Sequence, residues 1–303
     1  VYAAEMDRIL RHTADGLFEL NLDYFVHHKQ PIGYEWDGGI PQVSRLFASQ
    51  LESLLGPARE KEQELTQFHR NVARSVQDAY ERAFFHMLNH MHAQHQVEAV
   101  TVAGGCGMNS VANGKIHLRT PYKPVYVQSA AGDAGGAIGA AVVAGQRHGV
   151  SKRCHMAHSY WGPSFNAPEI KQLLLDHAEE LSAAGCEVHH DLDDSVLVDK
   201  VSDAIIDGNV IGWFQGAMEW GPRALGNRSI LGDPRRTDMK DILNLKIKRR
   251  ESFRPFAPSV LREHVAEWFE SDAEVPFMMK VFQINEEQRS KVPAITNVDG
   301  SGR

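Results

Sequence analysis

Hydrophobic side chains recur at helical spacing from Gln67 to about Gln96, a pattern that predicts one long amphipathic helix. The same spacing over shorter lengths predicts helices at 4–13, 169–183 and 197–207. Segments predicted as strands stand at 97–103, 124–128, 186–190 and 210–214. Strands that alternate with helices are typical of an α/β fold.

Two of these strands run directly into glycine-rich turns that are followed by helices. The first turn contains Gly104, Gly105 and Asn109, and the second, about thirty residues later, is Ala131–Gly139. Such a turn offers backbone amides to a phosphate, so the pair predicts one nucleotide held between two loops. A dinucleotide-binding fingerprint is excluded, because Gly105-x-Gly107 lacks the third glycine.

The stretch Gln215–Arg236 is rich in glycine and arginine and has few residues that could fill a core. Glycine lets the backbone approach a ligand, and the planar guanidinium of arginine suits bidentate capture of phosphate or carboxylate. One interpretation is a polyanion site built on Arg223 and Arg228. The other is a surface loop whose arginines pair with Glu219 and Asp233.

A second basic stretch, Lys246–Pro258, mixes five basic residues with two aromatic residues and two prolines. Basic residues among aromatic ones are usual in nucleic-acid sites. The whole chain, however, has 32 Lys and Arg against 39 Asp and Glu, for a net charge of -7. Positive charge concentrated in an acidic protein fits a small anionic ligand better than a long phosphate backbone. We therefore expect no nucleic-acid partner.

The remaining composition indicates an ordinary globular protein. A length of 303 residues predicts two domains, and no apolar run approaches the roughly 20 residues that span a bilayer. The cysteines Cys106, Cys154 and Cys186 show neither a metal spacing nor a paired framework, so we expect a cytoplasmic protein without a membrane partner. The first residue is Val1, and we expect both ends to belong to a longer parent protein.

The segments Met218–Leu231 and Arg250–Pro258 resemble the C-terminal signature of the O-carbamoyltransferases, which include nodulation, cephamycin and aminoglycoside enzymes. The resemblance implies ATP-dependent transfer of a carbamoyl group from carbamoyl phosphate to a hydroxyl of a small molecule. It also implies a fold: the C-terminal half of an actin-like (ASKHA) ATPase domain at 1–165, then a YrdC-like open twisted α/β domain at 166–303. The second domain would form carbamoyl adenylate and the first would transfer the carbamoyl group.

The same resemblance assigns roles to individual residues. It implies nucleotide binding by Gly104, Gly105, Asn109, Gly132 and Gly135. It implies a divalent metal on Asp133, iron in the family with magnesium or manganese as alternatives. Fixed positive charge for catalysis would come from Arg223, Arg228, Lys248, Arg250 and Arg254. Carbamoyl phosphate and the ATP phosphates would be bound by Gly221, Asn227, Ser229 and Arg303.

Histidines in the long helix are a separate candidate for a metal site. His86 and His90 are four residues apart, so both imidazoles share one helix face. The metal-binding histidine pair of the resembling family lies in an HxxxH motif of its N-terminal half, which we expect this chain to lack. We therefore expect these two residues to form a solvated face, and the long helix to be a candidate surface for a homodimer.

Two other classes of function stay open at this point. A sugar or acetate kinase-like phosphotransferase would explain the glycine loops but not the arginine-rich segment. An RNA-binding YrdC-like module would explain the basic stretches but conflicts with the net charge of -7. The sequence does not identify the acceptor.

Overall fold

The computed structural model describes residues 1–36, 41–60, 63–151, 156–190 and 192–303. The chain divides into two compact units, Val1–Val100 with Ile116–Pro124 and Thr101–Lys115 with Val125–Arg303. The described residues mix helices with two-stranded sheets, which confirms the α/β class. The actin-like and YrdC-like arrangement, like the boundary at residue 165, stays a prediction. None of the helices in these ranges is long and apolar enough to cross a membrane.

The first unit is built around one long helix. Its helices are α1 (Ala3–Ile9), α2 (Ser49–Leu55), α3 (Gln67–His95) and α5 (Ile116–Arg119), and its strands are β1 (Leu10–His12), β2 (Phe18–Leu20), β3 (Tyr34–Glu35) and β4 (Gln42–Val43). A short 3-10 turn covers Leu22–Tyr24. The 29 residues of α3 confirm the predicted long helix, and one face buries Ala79, Ala83 and Leu88. α1 packs against α3 through the buried Met6.

The first predicted helix ends four residues early, at Ile9 instead of Thr13. Leu10–His12 pairs antiparallel with Phe18–Leu20 and forms a hairpin. Gly16 closes the turn with a φ of +84°, a conformation that favours glycine. Pairing with the next strand along the chain therefore overrides the local helical pattern.

The α3 histidines support this hairpin, so the expectation of a solvated face is wrong. His86 is half-buried, and its Nε2 lies 2.9 Å from the carbonyl oxygen of Thr13. The imidazoles of His12 and His86 stack with their ring centres 5.0 Å apart. His90 lies against Gly16, where an added Cβ would come within 2.1 Å of the His90 ring.

We expect the first unit to lose stability as the pH falls below about 6.5, because of His12. Burial first, then the charges of His86 and Arg82, lower the pKa of His12, and Asp7 opposes them only in part. The unfolded chain therefore binds a proton at His12 that the folded chain binds only at lower pH. The contribution of His12 to stability is full above pH 6.5 and is lost as the pH falls through the lower pKa that His12 has in the folded chain.

Thermal unfolding at pH 7.5 and pH 5.5 measures this loss. His12→Phe keeps an aromatic ring against His86 but removes the titration, so its melting temperature should depend less on pH. Equal pH dependence in the two proteins would contradict the assignment to His12.

The described residues of the second unit form three small apolar cores. Its helices are α4 (Ser110–Gly114), α6 (Gly135–Arg147), α7 (Ala167–Asp176), α8 (Ala178–Ala183), α9 (Asp194–Ile206), α10 (Met239–Asp241), α11 (Val265–Trp268) and α12 (Glu286–Arg289). Its strands are β6 (Val125–Val127), β7 (Ile211–Phe214), β8 (Arg228–Leu231), β9 (Phe282–Gln283) and β10 (Ser301–Gly302); β5 (Val100–Val102) pairs with β6. Shorter helical segments are Cys106–Met108, Ile242–Ile247 and Arg262–His264. The cores centre on Phe277, on Leu243 and on Ile284.

Most predicted elements of this unit are present, with two differences. The helix predicted at 169–183 begins at a capping box of Asn166 and Glu169 and divides into α7 and α8 at His177. The strand predicted at 186–190 is wrong, because those residues are irregular. A segment of strand length becomes a strand only where a neighbouring strand pairs with it. Within the described residues, no strand pairs with residues 186–190.

Candidate active site

Two glycine loops of the second unit lie side by side. The first glycine loop, residues 103–109, follows β5, and the second, residues 128–136, joins β6 to α6. The amide of Gly104 donates to the carbonyl of Ala131 at 2.6 Å and ties the loops together. A cavity of about 470 Å³ lies against them, and Gly104, Gly132 and Gly135 line it.

The space in front of the loops is open. A Cβ added to Gly104 or Gly105 would meet no atom within 4 Å. Gly104 has a φ of +102°, so a side chain there would also strain the backbone. The side-chain oxygen of Asn109 caps α4 by accepting from the amide of Ala112 at 3.1 Å. The loops leave room for a ligand, and nucleotide binding stays a prediction.

Asp133 lies in the second glycine loop with an exposed carboxylate that faces the same cavity. The described residues contain no group of three or more His, Cys, Asp or Glu side chains placed to hold a metal. One carboxylate does not make a metal site. The residues present therefore do not by themselves fit the predicted divalent metal, and Asp133 is at most one ligand of a site completed by other residues.

A buried carboxylate shapes the arginine loop, residues 215–228. Glu219 Oε1 accepts hydrogen bonds from the backbone amides of Leu225 at 2.7 Å, Asn227 at 2.9 Å and Arg228 at 3.3 Å. Burial alone would raise the pKa of Glu219, but these amides outweigh it and hold the pKa below its usual value. Glu219 thus folds the loop and does not neutralise its arginines.

The polar side chains predicted to bind substrate in this loop also make contacts within it. Asn227 Nδ2 donates to the carbonyl of Ala217 at 2.7 Å, and the amide of Gly226 donates to Ser229 Oγ at 3.0 Å. Asn227 is buried. These contacts favour a role in loop shape for Asn227 and Ser229, and their predicted contact with substrate is untested.

Gly221 brings the arginine loop against the second glycine loop. Its φ is +122°, and an added Cβ would lie 2.8 Å from the carbonyl oxygen of Ser129. Ser129 Oγ donates to the carbonyl of Trp220 at 3.0 Å. Glycine is required here both by its conformation and by the close approach of the two backbones. The predicted phosphate segments are therefore direct neighbours.

Arg223 and Arg303 are half-buried positive charges, and Arg303 Nε donates to the carbonyl of Met278 at 3.1 Å. Arg223 Nε is buried and has no hydrogen-bond partner, and burial lowers the pKa of Arg223. Burial, and after it the charge of Arg223, lower the pKa of Arg303 to about 10. In the part of the chain that the structure describes, no carboxylate opposes either shift. Positive charges that burial removes from water favour a bound anion.

Arg228 makes a different set of contacts. Its guanidinium lies 3.5 Å from the centre of the Phe214 ring. It donates to the carbonyls of Gln215 at 2.7 Å and Asn227 at 2.8 Å, and more weakly to Gly216 and Pro163. Its guanidinium donors already bond to backbone carbonyls. These contacts favour a role for Arg228 in stabilising the loop over the predicted role as a catalytic charge.

The predicted basic residues of the second stretch form a separate group around Asn244. Asn244 is fully buried and donates to the carbonyls of Ser252 and Arg254, while its Oδ1 accepts from Arg250 Nε at 2.6 Å. Arg250 and Lys248 lie over the ring of Phe256, and burial lowers the pKa of both. Arg254 pairs with Glu251 at 2.7 Å and is exposed. Among the described residues, no hydrogen bond, ion pair or ring contact joins this group to Arg223 or Arg303.

The surface-loop interpretation holds for Asp233, which pairs with an arginine of the stretch Gln215–Arg236, but not for Glu219. Asp233 pairs with Arg235 at 2.8 Å, and Glu219 accepts backbone amides.

Lys280 is a residue that the sequence pattern missed: burial lowers its pKa, and its Nζ donates to the carbonyl of Val125 at 3.2 Å. A lone lysine in an apolar segment gives no signal, and neither does Asn244 in its π-helix.

Known families match both ends of the chain. The family described as "Carbamoyltransferase N-terminus" matches residues 8–142, and the one described as "Carbamoyltransferase C-terminus" matches residues 202–303. The second match contains the whole arginine loop from Gln215 to Arg228 together with Arg303. The first match contains both glycine loops.

Several curated proteins are similar over most of the chain. An uncharacterized protein of Synechocystis is 40% identical over 98% of this chain and 50% of its own length. Nodulation protein NolNO of Sinorhizobium fredii is 41% identical over 81% and 36%, respectively. A 3'-hydroxymethylcephem-O-carbamoyltransferase of Streptomyces clavuligerus is 33% identical over 67% and 35%. The chain thus spans about half the length of these relatives, or less.

Proposed function

The chain belongs to the O-carbamoyltransferase family, and we propose that its parent protein is an ATP-dependent enzyme that carbamoylates a hydroxyl of a small molecule or oligosaccharide. The single observation that supports this most is that Arg223 and Arg303 are half-buried guanidinium groups without a carboxylate partner in the described residues. Both phosphorylated reactants of such an enzyme's first step, carbamoyl phosphate and ATP, are anions.

In the first step, carbamoyl phosphate, ATP and one water give carbamoyl adenylate, pyrophosphate and phosphate. Water first cleaves carbamoyl phosphate to carbamate and phosphate. A carbamate oxygen then forms a bond to the α-phosphorus of ATP, and the bond from that phosphorus to pyrophosphate breaks. The protein need supply no nucleophile. Arg223 and Arg303 would hold the phosphate oxygens and stabilise the charge that develops on them. The Lys248, Arg250 and Arg254 group is a second candidate phosphate contact.

In the second step, an acceptor hydroxyl attacks the carbamoyl carbon, AMP leaves, and the hydroxyl proton is released. The glycine loops would hold the nucleotide part through backbone amides. The contact of Gly221 with Ser129 supports a short path between the two phosphate segments. A divalent metal, iron by resemblance, stays part of the proposal with Asp133 as one ligand, and neither step above depends on it.

Pyrophosphate release from ATP, without acceptor, tests the first step. We expect release from the full-length parent only when carbamoyl phosphate is present. Release from the 303-residue chain as well would place the step in the Arg223 and Arg303 site. A parent that releases no pyrophosphate, or that transfers phosphate from ATP to a polyol, would overturn the proposal, the latter in favour of a kinase-like enzyme.

The partners and the location of the enzyme are also part of the proposal. Carbamoyl phosphate and a hydroxyl acceptor are its substrates, and nucleic acid is not a partner. A cytoplasmic location and a homodimer through α3 stay predictions.

A further inference from the structure

An apolar cavity of about 280 Å³ lies wholly within the second unit. Its most deeply buried wall is the core formed by Ile284, Val292 and Ile295. Trp268 and Phe269 pack against that core and form a second, half-buried wall. No residue that we predict to bind substrate, nucleotide or metal is among the described residues that line this cavity. The cavity is therefore a separate candidate for a binding site.

The composition of the wall determines which ligand this cavity can take. Apart from Ser259 and His264, the described side chains that line it are aliphatic, proline or aromatic. Water finds few hydrogen-bond partners beside such a wall, and an apolar cavity of about 150 Å³ stays dry and binds benzene. A volume of about 280 Å³ therefore has room for a substituted benzene ring. The same wall disfavours sugars and phosphates, whose polar groups would lose water without gaining partners.

His264 is the ionisable residue of the described wall, and it lies at the exposed side of the cavity. Its Nδ1 lies 2.8 Å from Glu267 Oε1. Because a carboxylate only accepts, Nδ1 carries a proton and donates it to this hydrogen bond. Nε2 is then a donor when the imidazole is charged and an acceptor when it is neutral. A hydroxyl can pair with either form, so an aromatic ring with one hydroxyl matches both the apolar wall and His264.

We propose that this cavity binds a small phenol, with its ring against Trp268 and Phe269 and its hydroxyl on His264 Nε2. The inference is independent of the proposed function, because binding needs neither ATP nor carbamoyl phosphate. The pyrophosphate assay, run without a phenol, decides the proposed function separately.

Saturation-transfer NMR and calorimetry with three ring compounds test the inference. We expect p-cresol to bind more tightly than toluene, which lacks the hydroxyl, and myo-inositol, a ring with a hydroxyl on every carbon, not to bind. The five tryptophans of the chain give five indole N–H signals, and Trp268→Phe identifies that of Trp268. p-Cresol should shift the Trp268 signal and leave the signal of Trp36, in the first unit, in place.

Two variants test the two halves of the assignment. His264→Phe should remove the advantage of p-cresol over toluene, about threefold to tenfold, because only p-cresol loses a hydrogen bond. Leu261→Trp enlarges a side chain at the exposed rim of the cavity and should weaken the binding of both ligands by about tenfold or more. Unchanged melting temperatures of both variants exclude unfolding as the cause.

The second unit offers a matched control for each variant. His177 also pairs through Nδ1 with a glutamate three residues later, Glu180, at 3.2 Å, and it lies outside the cavity. Leu173 is an exposed leucine on α7, also outside the cavity. His177→Phe and Leu173→Trp should therefore bind p-cresol and toluene as the unchanged protein does.

Four outcomes would overturn the inference. They are absence of p-cresol binding, a shift of the Trp36 signal as large as that of Trp268, an advantage over toluene that survives His264→Phe, and equal binding by Leu261→Trp and Leu173→Trp. The full-length parent must bind p-cresol as well. Binding by the 303-residue chain alone would show that another part of the parent occupies the cavity, and it would equally overturn the inference.

Discussion

Arg223→Ala should lower the rate of carbamoyl-phosphate-dependent pyrophosphate release by about 10²-fold or more. Burial lowers the pKa of Arg223, and the charge of Arg223 lowers the pKa of Arg303. Within the described ranges, Arg223 has no carboxylate to neutralise it. A charge kept in such a place is fixed before the anionic substrates arrive, so it stabilises the transition state without reorganisation. Initial rates in the full-length parent at saturating ATP measure the effect.

Stability measurements separate this role from a structural one. Arg223 Nε has no partner to lose, so Arg223→Ala should leave the free energy of unfolding unchanged or raise it. Arg228→Ala should lower that free energy, because backbone carbonyls and the Phe214 ring lose their contacts. Lys171→Ala, an exposed lysine on α7, should change neither quantity. Full activity of Arg223→Ala would contradict the site, as would a stability loss as large as that of Arg228→Ala.

The elements that the sequence predicted well are those set by local pattern. α3 has an apolar stripe over 29 residues, and the two glycine turns each follow a short apolar strand. The errors occur where pairing with another strand determines the secondary structure. Leu10–His12 leaves its helix because Phe18–Leu20 pairs with it, and residues 186–190 lack a partner strand in the described chain. Local periodicity does not contain either piece of information.

The candidate site divides in the same way. Residue type and spacing made Arg223 and the two glycine loops candidates, and the resemblance added Arg303; the role of each stays a prediction. Residue type and spacing could not show that Arg228 donates to backbone carbonyls, or that Lys248 and Arg250 gather around Asn244 and Phe256. An arginine that binds a ligand and one that braces a loop have the same sequence signal. Only the hydrogen-bond partners and the burial of each guanidinium distinguish them.

Glu219→Ala should lower the free energy of unfolding of the second unit by about 3 kcal/mol, because three backbone amides lose their buried acceptor at once. Glu219→Gln keeps one carbonyl oxygen and should lose less. Urea denaturation followed by tryptophan fluorescence measures both, since Trp220 lies next to the changed residue. Glu179→Ala, an exposed glutamate on α8, is the control and should be close to neutral.

The stabilising effect of Glu219 should also depend on pH in one direction. Its folded pKa lies below the ordinary value of 4.5, so the unfolded chain binds the proton first as the pH falls. The difference in stability between the unchanged protein and Glu219→Gln should be full above pH 4.5 and shrink as the pH falls through the lower folded pKa. A difference that stays constant from pH 7 to pH 3 would show that the carboxylate charge does not hold the arginine loop. In that case the loop that carries Arg223 would owe its shape to Gly221 and Asn227 instead.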